Sequence, residues 1–215
     1  MGKVTLSFDN GPHPEVTPAV LDVLAKRQVR ASFFVIGARL ESAGNLRLAE
    51  RAAADGHWIG NHSFSHEVPL GTDTRADAVE REIVATQTLI GRLAHEPKLF
   101  RPFGGGGKLG KHLLSRPAVE HLTAHNYSCV LWNCVPEDWI LPDAWAARAK
   151  AECERNPWTL LVVHDYVAAA MRHLDGFIAS VLDGGHEFVQ DFPPQCVPIR
   201  GGEIVGDISS IVADR

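Results

Sequence analysis

The fold is set at the start of the chain, where VTLSFDNGPHPEVTPAVLDVLAKRQ occupies residues 4–28. Residues 4–8 form a short run of apolar and β-branched side chains of strand length, and the polar turn Asp9-Asn10-Gly11-Pro12 follows at once. Residues 17–28 then carry apolar side chains at helical spacing. The stretch therefore predicts a strand, a loop bearing polar side chains and a helix, in that order.

The same order repeats along the whole chain. Runs of strand length occur at residues 4–8, 30–36, 57–60, 98–100, 127–132, 159–163 and 187–189. Helical spacing occurs at residues 17–28, 46–55, 75–94, 111–126, 144–156 and 168–183. Such alternation predicts an α/β fold with a parallel sheet, and about seven repeats favour a (β/α) barrel over an open sheet. Prolines break the periodicity near the end, so residues 191–215 are expected to form a C-terminal tail wrapped on the barrel.

Composition narrows the class of protein. With 215 residues and 45% hydrophobic content, the chain suffices for one well-cored domain, spanning residues 1–215. A net charge of -5 without a basic run argues against a nucleic acid partner or an anionic membrane surface. No apolar leader precedes the first strand and no segment is long enough to span a bilayer, so we expect a cytoplasmic protein, or an exported one if a leader was removed. The oligomeric state is left open.

The four cysteines are not arranged as a disulfide framework. They form no C-x-x-C pair and no dense cluster, which fits reduced thiols in the protein interior. The cysteines are Cys129, Cys134, Cys153 and Cys196.

Five short polar clusters stand at or beside the ends of apolar runs. Their sequences are SFDNGP at residues 7–12, HSFSH at 62–66, RPFGG at 101–105, PEDW at 136–139 and LLVVHD at 160–165. In parallel barrels the loops after the strands converge at one face, where the chemistry takes place. We therefore expect the polar side chains of the five clusters to meet on one rim.

Two histidine pairs share the same spacing but have different surroundings. His62 and His66 are four residues apart, which would put both imidazoles on one face of a helical turn, within reach of one metal ion. His121 and His125 have the same separation inside a helix-like segment, with no strand end or acidic partner beside them. We predict that the first pair is functional and the second lies on the surface.

In their order along the chain, the five clusters resemble the motifs of the polysaccharide deacetylase family, the NodB-homology carbohydrate esterases of family four. The resemblance covers roughly residues 3 to 190. A single H-x-x-x-H would be weak, but five motifs in order make a specific match. The resemblance implies a distorted (β/α) barrel, one divalent metal ion, and hydrolysis that removes an acetyl group from an N-acetylated amino sugar or oligosaccharide.

The resemblance also implies catalytic roles. Asp9 corresponds to the general base that accepts a proton from water, and Arg101 to the arginine that keeps this carboxylate ionised and oriented. His164 corresponds to the general acid that protonates the leaving amine, and Asp138 to the acid that raises its pKa. Glu137 is an alternative to Asp138 for this last role.

The resemblance makes Asn10, His62 and His66 the metal ligands. Two imidazoles with oxygen ligands suit Zn²⁺ first, and Co²⁺, Mn²⁺ or Ni²⁺ as well. At position 10 the family usually has a second aspartate. An amide oxygen can coordinate a metal but brings no charge, so we expect a lower metal affinity here.

Four further residues are expected to bind the substrate: Phe103, Gly104, Trp139 and Val162. Trp139 and Val162 would shape the acyl pocket. The family pattern usually has Pro and Tyr at positions 103 and 104, and here a glycine run continues to Gly107. These glycines predict either a wide, mobile loop or room for a close approach by the ligand. Asp165 is expected to cap the next helix.

Two other functions remain open. Some proteins of the same superfamily hydrolyse cyclic ureides or imides without the usual metal, and Asn10 together with the altered third motif is compatible with such an enzyme. A sugar-binding pseudoenzyme that lost turnover with the charge at position 10 is the second alternative. A third alternative is a domain in which the metal ion only stabilises the fold. Acetate release distinguishes a deacetylase from all of these.

Overall fold

The computed structural model describes residues 2–214 and contains one curled, mostly parallel sheet. The strands run in the order β6-β1-β2-β3-β4-β5-β8-β9, and β7 pairs with β1. Their bounds are β1 Lys3–Asp9, β2 Ser32–Val35, β3 Trp58–Asn61, β4 Lys98–Phe100, β5 Tyr127–Cys129, β6 Trp158–His164, β7 Glu187–Phe188, β8 Ile199–Arg200 and β9 Glu203–Ile204. An isolated bridge between Cys134 and Leu161 joins the chain after β5 to β6. The sheet thus curls into the predicted distorted barrel, with seven mutually parallel strands.

Eight α-helices connect the strands within the described residues. Their bounds are α1 Thr17–Arg27, α2 Gly37–Leu40, α3 Ala43–Ala54, α4 Ala85–Ile90, α5 Arg116–Ala124, α6 Trp145–Arg155, α7 Ala168–Met171 and α8 Leu174–Asp183. The segment predicted as one helix over residues 75–94 is in fact a π-helical turn, Glu80–Val84, followed by α4 and a 3₁₀ turn. The helix predicted at 168–183 is divided into α7 and α8. The helix predicted from residue 111 begins only at Arg116, because the Ser115 hydroxyl caps it there and Pro117 fits its first turn.

Strand β1 shows how the sequence positions the site. Its alternate residues Val4, Leu6 and Phe8 pack into the hydrophobic layer that contains α1 and α8. The residues between them face the barrel interior, since side chains alternate along a strand. Ser7 there donates a hydrogen bond to the Leu161 carbonyl, and Asp9 follows two residues later at the mouth.

The C-terminal segment extends the sheet, which the prediction of a wrapped tail missed. Strand β8 pairs antiparallel with β5, and β9 pairs with β8 through a turn at Gly201 and Gly202, whose φ values are 54° and 83°. A further bridge joins Leu114 to Val212. Between residues 2 and 214, no helix combines the length and apolar character needed to cross a membrane.

Candidate active site

A cavity of about 200 Å³ lies at the carboxyl ends of the parallel strands, where the five polar clusters converge. The structure brings the predicted site residues together here. Those that line the cavity are Asp9, Asn10, His62, His66, Phe103, Gly104, Trp139, Val162 and His164. Arg101 and Asp138 lie behind this lining and contact Asp9 and His164 respectively.

Arg101 holds Asp9 from inside the barrel. One of its terminal nitrogens, Nη1, donates to Asp9 Oδ1 at 2.7 Å and to Ser7 Oγ at 2.8 Å. Its other nitrogens donate at 3.2 Å to the carbonyl oxygens of Val130 and Leu131. The guanidinium is fully buried and also lies 3.9 Å from the centre of the Phe34 ring. The planar guanidinium is therefore fixed by the two carbonyls and Ser7 with one nitrogen directed at the carboxylate.

Asp9 is ionised at neutral pH despite its burial. Burial alone would raise the pKa of this carboxyl, but the charge of Arg101, with smaller effects of His62 and His164, lowers it below its ordinary value. The second carboxylate oxygen, Oδ2, faces the cavity 3.6 Å from His62 Nε2. Asp9 thus presents one oxygen that is held by Arg101 and one that is directed at the site.

His164 and Asp138 form a buried pair at the end of β6, where His164 is the register partner of Asp9. Asp138 Oδ1 accepts from His164 Nδ1 at 2.7 Å, and Oδ2 accepts from the His164 backbone N–H at 2.9 Å. Burial opposes the charged imidazolium, but the hydrogen bond and charge of Asp138 outweigh it, so the pKa of His164 is raised. Because Nδ1 bonds to Asp138, Nε2 is the ring nitrogen left to exchange protons with a ligand.

Glu137, the alternative acid, lies away from the histidine. Its carboxylate pairs with Arg148 at 2.7 Å on the surface, whereas the neighbouring Asp138 side chain is fully buried. Glu137 has a left-handed backbone, φ 61°, which turns the two consecutive acidic side chains in different directions. The structure therefore assigns the contact with His164 to Asp138.

The expectation for Asp165 was wrong. Helix α7 begins without a side-chain cap, and Asp165 Oδ2 instead accepts from the Thr17 hydroxyl at 2.5 Å, at the start of α1. Burial raises the pKa of Asp165 to about 6. Its Oδ1 atom has no hydrogen-bond partner and lies against Gly11, where an added Cβ would come within 2.2 Å of it. Gly11 is required by this close approach.

His62 and His66 adjoin each other, but on an irregular turn rather than the predicted helical one. Ser63 and His66 adopt left-handed backbone conformations, φ 65° and 57°, which break any helical continuation. The two imidazole centroids are 4.9 Å apart. Burial lowers the pKa of both rings, that of His66 to about 3, so both are neutral at pH 7 and able to act as ligands.

The residues present fit a divalent metal ion. Asn10 Oδ1 is buried without any hydrogen-bond partner, which is costly unless the oxygen has another use. His62 Nδ1 bonds to the Arg101 carbonyl at 2.8 Å, so Nδ1 carries the hydrogen and Nε2 keeps its lone pair. Within residues 2–214, no three His, Cys, Asp or Glu side chains are grouped to hold a metal. A three-residue ligand set in the cavity therefore depends on the amide of Asn10.

Aromatic side chains form the walls of the cavity. Phe103 packs on His66 with ring centroids 3.9 Å apart, and Trp139 meets His164 edge-on at 5.0 Å. The glycine run that follows Phe103 passes over Trp132, whose indole donates to the Gly107 carbonyl at 2.8 Å. Gly104 lies so close to this indole that a Cβ would be 2.6 Å from it. The close approach holds the glycine loop against the indole, so that the loop forms part of the wall.

The sequence did not single out several residues of the site. Tyr166, Val135 and Trp132 also line the cavity. The Tyr166 ring lies 5.8 Å from the His164 ring, and Arg39 stacks on it at 5.3 Å. Tyr166 is two residues from His164 and was within reach of a motif-based search, whereas Val135 and Arg39 carry no local signal. His121 and His125 lie on and just after α5, away from this cavity, as predicted.

Comparison with known proteins agrees with this geometry. A sequence profile described as polysaccharide deacetylase matches residues 2–116, more than half of the chain. The chain belongs to the polysaccharide deacetylase family. The family resemblance carried by the five motifs is thus confirmed.

Individual relatives of this polysaccharide deacetylase family member show the extent of the likeness. It is 35% identical over 192 residues to a peptidoglycan-N-acetylglucosamine deacetylase of Bacillus cereus, covering 87% of this chain and 66% of that protein. It is 33% identical over 163 residues to a chitooligosaccharide deacetylase of Rhizobium leguminosarum, covering 74% and 66%. The chain thus spans just under two thirds of both relatives. A family 4 carbohydrate esterase from Streptomyces lividans, in complex with acetate, superposes with a TM-score of 0.73 at 24% identity, covering 99% of this chain and 98% of that one, which confirms the fold.

Proposed function

We propose that the protein is a metal-dependent hydrolase that removes the acetyl group from an N-acetylated amino sugar or oligosaccharide. The observation that carries this proposal is that one cavity contains a deprotonated carboxylate, Asp9, and a histidine that favours its protonated form, His164. Asp9 has a lowered pKa and is ready to accept a proton, while His164 has a raised pKa and is ready to donate one. Amide hydrolysis by general acid and base needs two such groups with separated pKa values.

The two groups divide the proton transfers of the reaction. Asp9 Oδ2 accepts the proton of the attacking water, and the Arg101 guanidinium keeps Asp9 Oδ1 from turning into the cavity. The Nε2 atom of His164 donates its proton to the amine nitrogen, so that the C–N bond breaks and a neutral amine leaves. Asp138 holds the imidazole in the orientation and tautomer that this donation requires.

The ligands proposed for the metal are Asn10, His62 and His66. When bound, a divalent cation supplies Lewis-acid polarisation of the scissile carbonyl and lowers the pKa of the attacking water. Zn²⁺ suits two imidazoles and an oxygen donor, and Co²⁺, Mn²⁺ and Ni²⁺ are also compatible. The neutral Asn10 leaves the ligand set without a negative charge of its own, so the affinity is expected to be lower than with a carboxylate at this position.

The size and walls of the cavity support a sugar substrate. A volume of about 200 Å³ is on the scale of a small ligand such as an acetamido sugar. The rings of Phe103, Trp139 and Tyr166 offer apolar faces and edges against which a sugar ring can pack. The deacetylases of N-acetylglucosamine in peptidoglycan and of chitooligosaccharides among its relatives support the same class of substrate.

Metal content and acetate release test the proposal together. Purified protein is analysed for bound metal, then incubated with N-acetylglucosamine oligomers and with peptidoglycan fragments, with added Zn²⁺ or with a chelator. Asn10→Asp is measured in parallel. We expect acetate release that the chelator abolishes, and tighter metal binding by the variant.

The failure of this experiment would be informative. If the wild type bound no metal and released no acetate, while Asn10→Asp gained metal, the native chain would not be a deacetylase. Ring opening of a cyclic imide without acetate would then favour the metal-independent hydrolase. Sugar binding without any turnover would favour the pseudoenzyme.

A further inference from the structure

The turn between the two proposed histidine ligands is strained and has few hydrogen bonds of its own. Ser63 and His66 have left-handed backbone conformations, φ 65° and 57°, which are unfavourable for residues that carry a side chain. The carbonyl oxygens of Ser63 and Phe64 accept from the backbone N–H groups of Gly37 and Ala38 at the start of α2. The backbone N–H groups of Phe64 and Ser65 find their acceptor outside the turn.

A buried carboxylate fills the inside of this turn. Glu82 is 2% exposed. Its Oε2 atom accepts from the backbone N–H groups of Phe64 at 3.0 Å and Ser65 at 2.8 Å. Its Oε1 atom accepts from the Ser65 hydroxyl at 2.9 Å and from Arg75 Nη2 at 3.1 Å. Both oxygens are thus used, and three of the four donors belong to the turn.

The backbone around Glu82 is tied to the same end of the sheet. Glu82 lies in the π-helical turn Glu80–Val84, a rare conformation that is frequent at functional sites. Asn61, the last residue of β3, donates from Nδ2 to the Ile83 carbonyl at 2.9 Å and accepts at Oδ1 from the Ser63 N–H at 3.0 Å. The strand end, the turn and the π-helical turn therefore form one hydrogen-bonded unit.

We propose that Glu82 is a positioning residue for the metal site, and that its carboxylate holds the turn so that His66 meets His62 in a shared ligand geometry. This inference rests on the proposed metal-dependent function. Glu82 does not line the cavity, so it acts through the turn and touches neither substrate nor metal. Substitution of such supporting residues typically lowers metal affinity 10- to 100-fold.

A different contact could hold His66 without Glu82. The Phe103 ring packs on the His66 imidazole with centroids 3.9 Å apart. If this packing alone oriented the ring, Glu82 would stabilise the fold and leave metal binding unchanged. Metal affinity therefore separates the two roles, which stability by itself does not.

The test is Zn²⁺ affinity, measured by competition with a chromophoric chelator on the full chain. Glu82→Gln keeps the side-chain shape but places an NH₂ group where one carboxylate oxygen accepts hydrogen bonds. The turn therefore loses part of the hydrogen bonding that fixes it. Glu80→Gln, two residues earlier on the same π-helical turn and exposed, is the matched control. Circular dichroism and urea unfolding in chelator establish that each variant is folded, and the Co²⁺ absorption spectrum reports the coordination geometry.

We expect Glu82→Gln to bind Zn²⁺ about 10- to 100-fold more weakly than the wild type, with an altered Co²⁺ spectrum, and Glu80→Gln to match the wild type. Equal affinity of the two folded variants would overturn the inference. If Glu82→Gln does not fold, Ser65→Ala takes its place, since it removes one bond to the carboxylate and buries no new group. A weaker Zn²⁺ affinity of that variant supports the inference, and an unchanged one overturns it. A wild type that binds none of Zn²⁺, Co²⁺, Mn²⁺ and Ni²⁺ refutes the proposed function itself.

Discussion

Replacing Arg101 by lysine tests whether the site needs a guanidinium or only a positive charge. The fully buried Arg101 donates to Asp9, to Ser7 and to the carbonyls of Val130 and Leu131. A lysine ammonium is a compact donor at the end of a flexible stem, and it cannot reach the carboxylate and both strand-end carbonyls at once. Arg101→Lys therefore keeps the charge beside Asp9 and loses the two carbonyl contacts.

The loss in free energy of unfolding follows from the buried groups that are left without hydrogen-bond partners. Each buried carbonyl deprived of its donor costs about 1–3 kcal/mol, so two of them lower the free energy of unfolding by roughly 2–6 kcal/mol. Arg101→Ala would also leave the Asp9 carboxylate unpaired, which adds about 3–5 kcal/mol for a buried charge. Because whole domains are stable by only about 5–15 kcal/mol, we expect the alanine variant to unfold or nearly so.

Urea unfolding followed by circular dichroism measures this difference. Since the folded pKa of Asp9 is lowered, its ion pair stabilises the fold above the unfolded carboxyl pKa of about 3.9 and is lost as the pH falls through the folded value. Carbonyl groups do not titrate, so the Arg101→Lys deficit should be the same at pH 5 and pH 8. Arg148→Lys, at an exposed ion pair, is the control and should change stability by less than about 0.5 kcal/mol. If Arg101→Lys lowered the free energy of unfolding by less than about 1 kcal/mol, the two carbonyl contacts would not stabilise the fold as argued.

Three further substitutions test other parts of the site. Asp138→Asn should lower kcat by about 10²- to 10⁴-fold and move the alkaline limb of the rate profile to lower pH, because the raised pKa of His164 depends on this carboxylate. Asp165→Asn should stabilise the fold by about 1–3 kcal/mol at pH 8 in urea unfolding, since a folded pKa of about 6 makes ionisation costly, and the gain should vanish toward pH 4. Gly104→Ala should destabilise by about 1–3 kcal/mol in the same assay, because its Cβ would lie 2.6 Å from Trp132.

Two of these substitutions have a control in the chain. Glu137→Gln alters the neighbouring acid, which faces solvent, and should leave the pH profile in place. Gly176→Ala adds a Cβ with nothing within 4 Å, inside α8, and should stabilise by about 0.5–1 kcal/mol. An unchanged kcat for Asp138→Asn, a pH-independent gain for Asp165→Asn, or equal effects of the two glycine variants would each contradict the corresponding argument.

The strands were predictable because their signal is local. Residues 98–100 were predicted and observed with the same bounds, and the run at 4–8 was found as β1, Lys3–Asp9. Buried parallel strands are continuous apolar runs, so burial marks them directly in the sequence. The β8-β9 hairpin was missed because each of its strands is only two residues long, and β8 joins the sheet by pairing with β5 across a large sequence separation.

Helix boundaries and turns depended more on tertiary contacts. Residues 80–84 have helical periodicity, which does not distinguish an α-helix from the π-helical turn seen there. In the structure, Ile83 bonds to Asn61 at the end of β3, and Glu82 bonds to the turn that follows β3. The spacing of His62 and His66 predicted adjacent imidazoles for the wrong reason. They are close because a left-handed turn brings them together, and no helical turn is present.

Local pattern and residue chemistry were enough to predict the alternation of strands and helices, the family, and which polar residues follow the strand ends. The tertiary structure decided which of those residues touch. It paired Asp138 and not Glu137 with His164, left Asn10 Oδ1 without a partner, and buried Asp165 against Gly11. Some of these contacts join residues that are distant in sequence. In the case of Glu137 and Asp138, two neighbouring acidic residues differ in where their side chains point, and that direction is fixed by backbone conformation and packing, which a linear pattern does not contain.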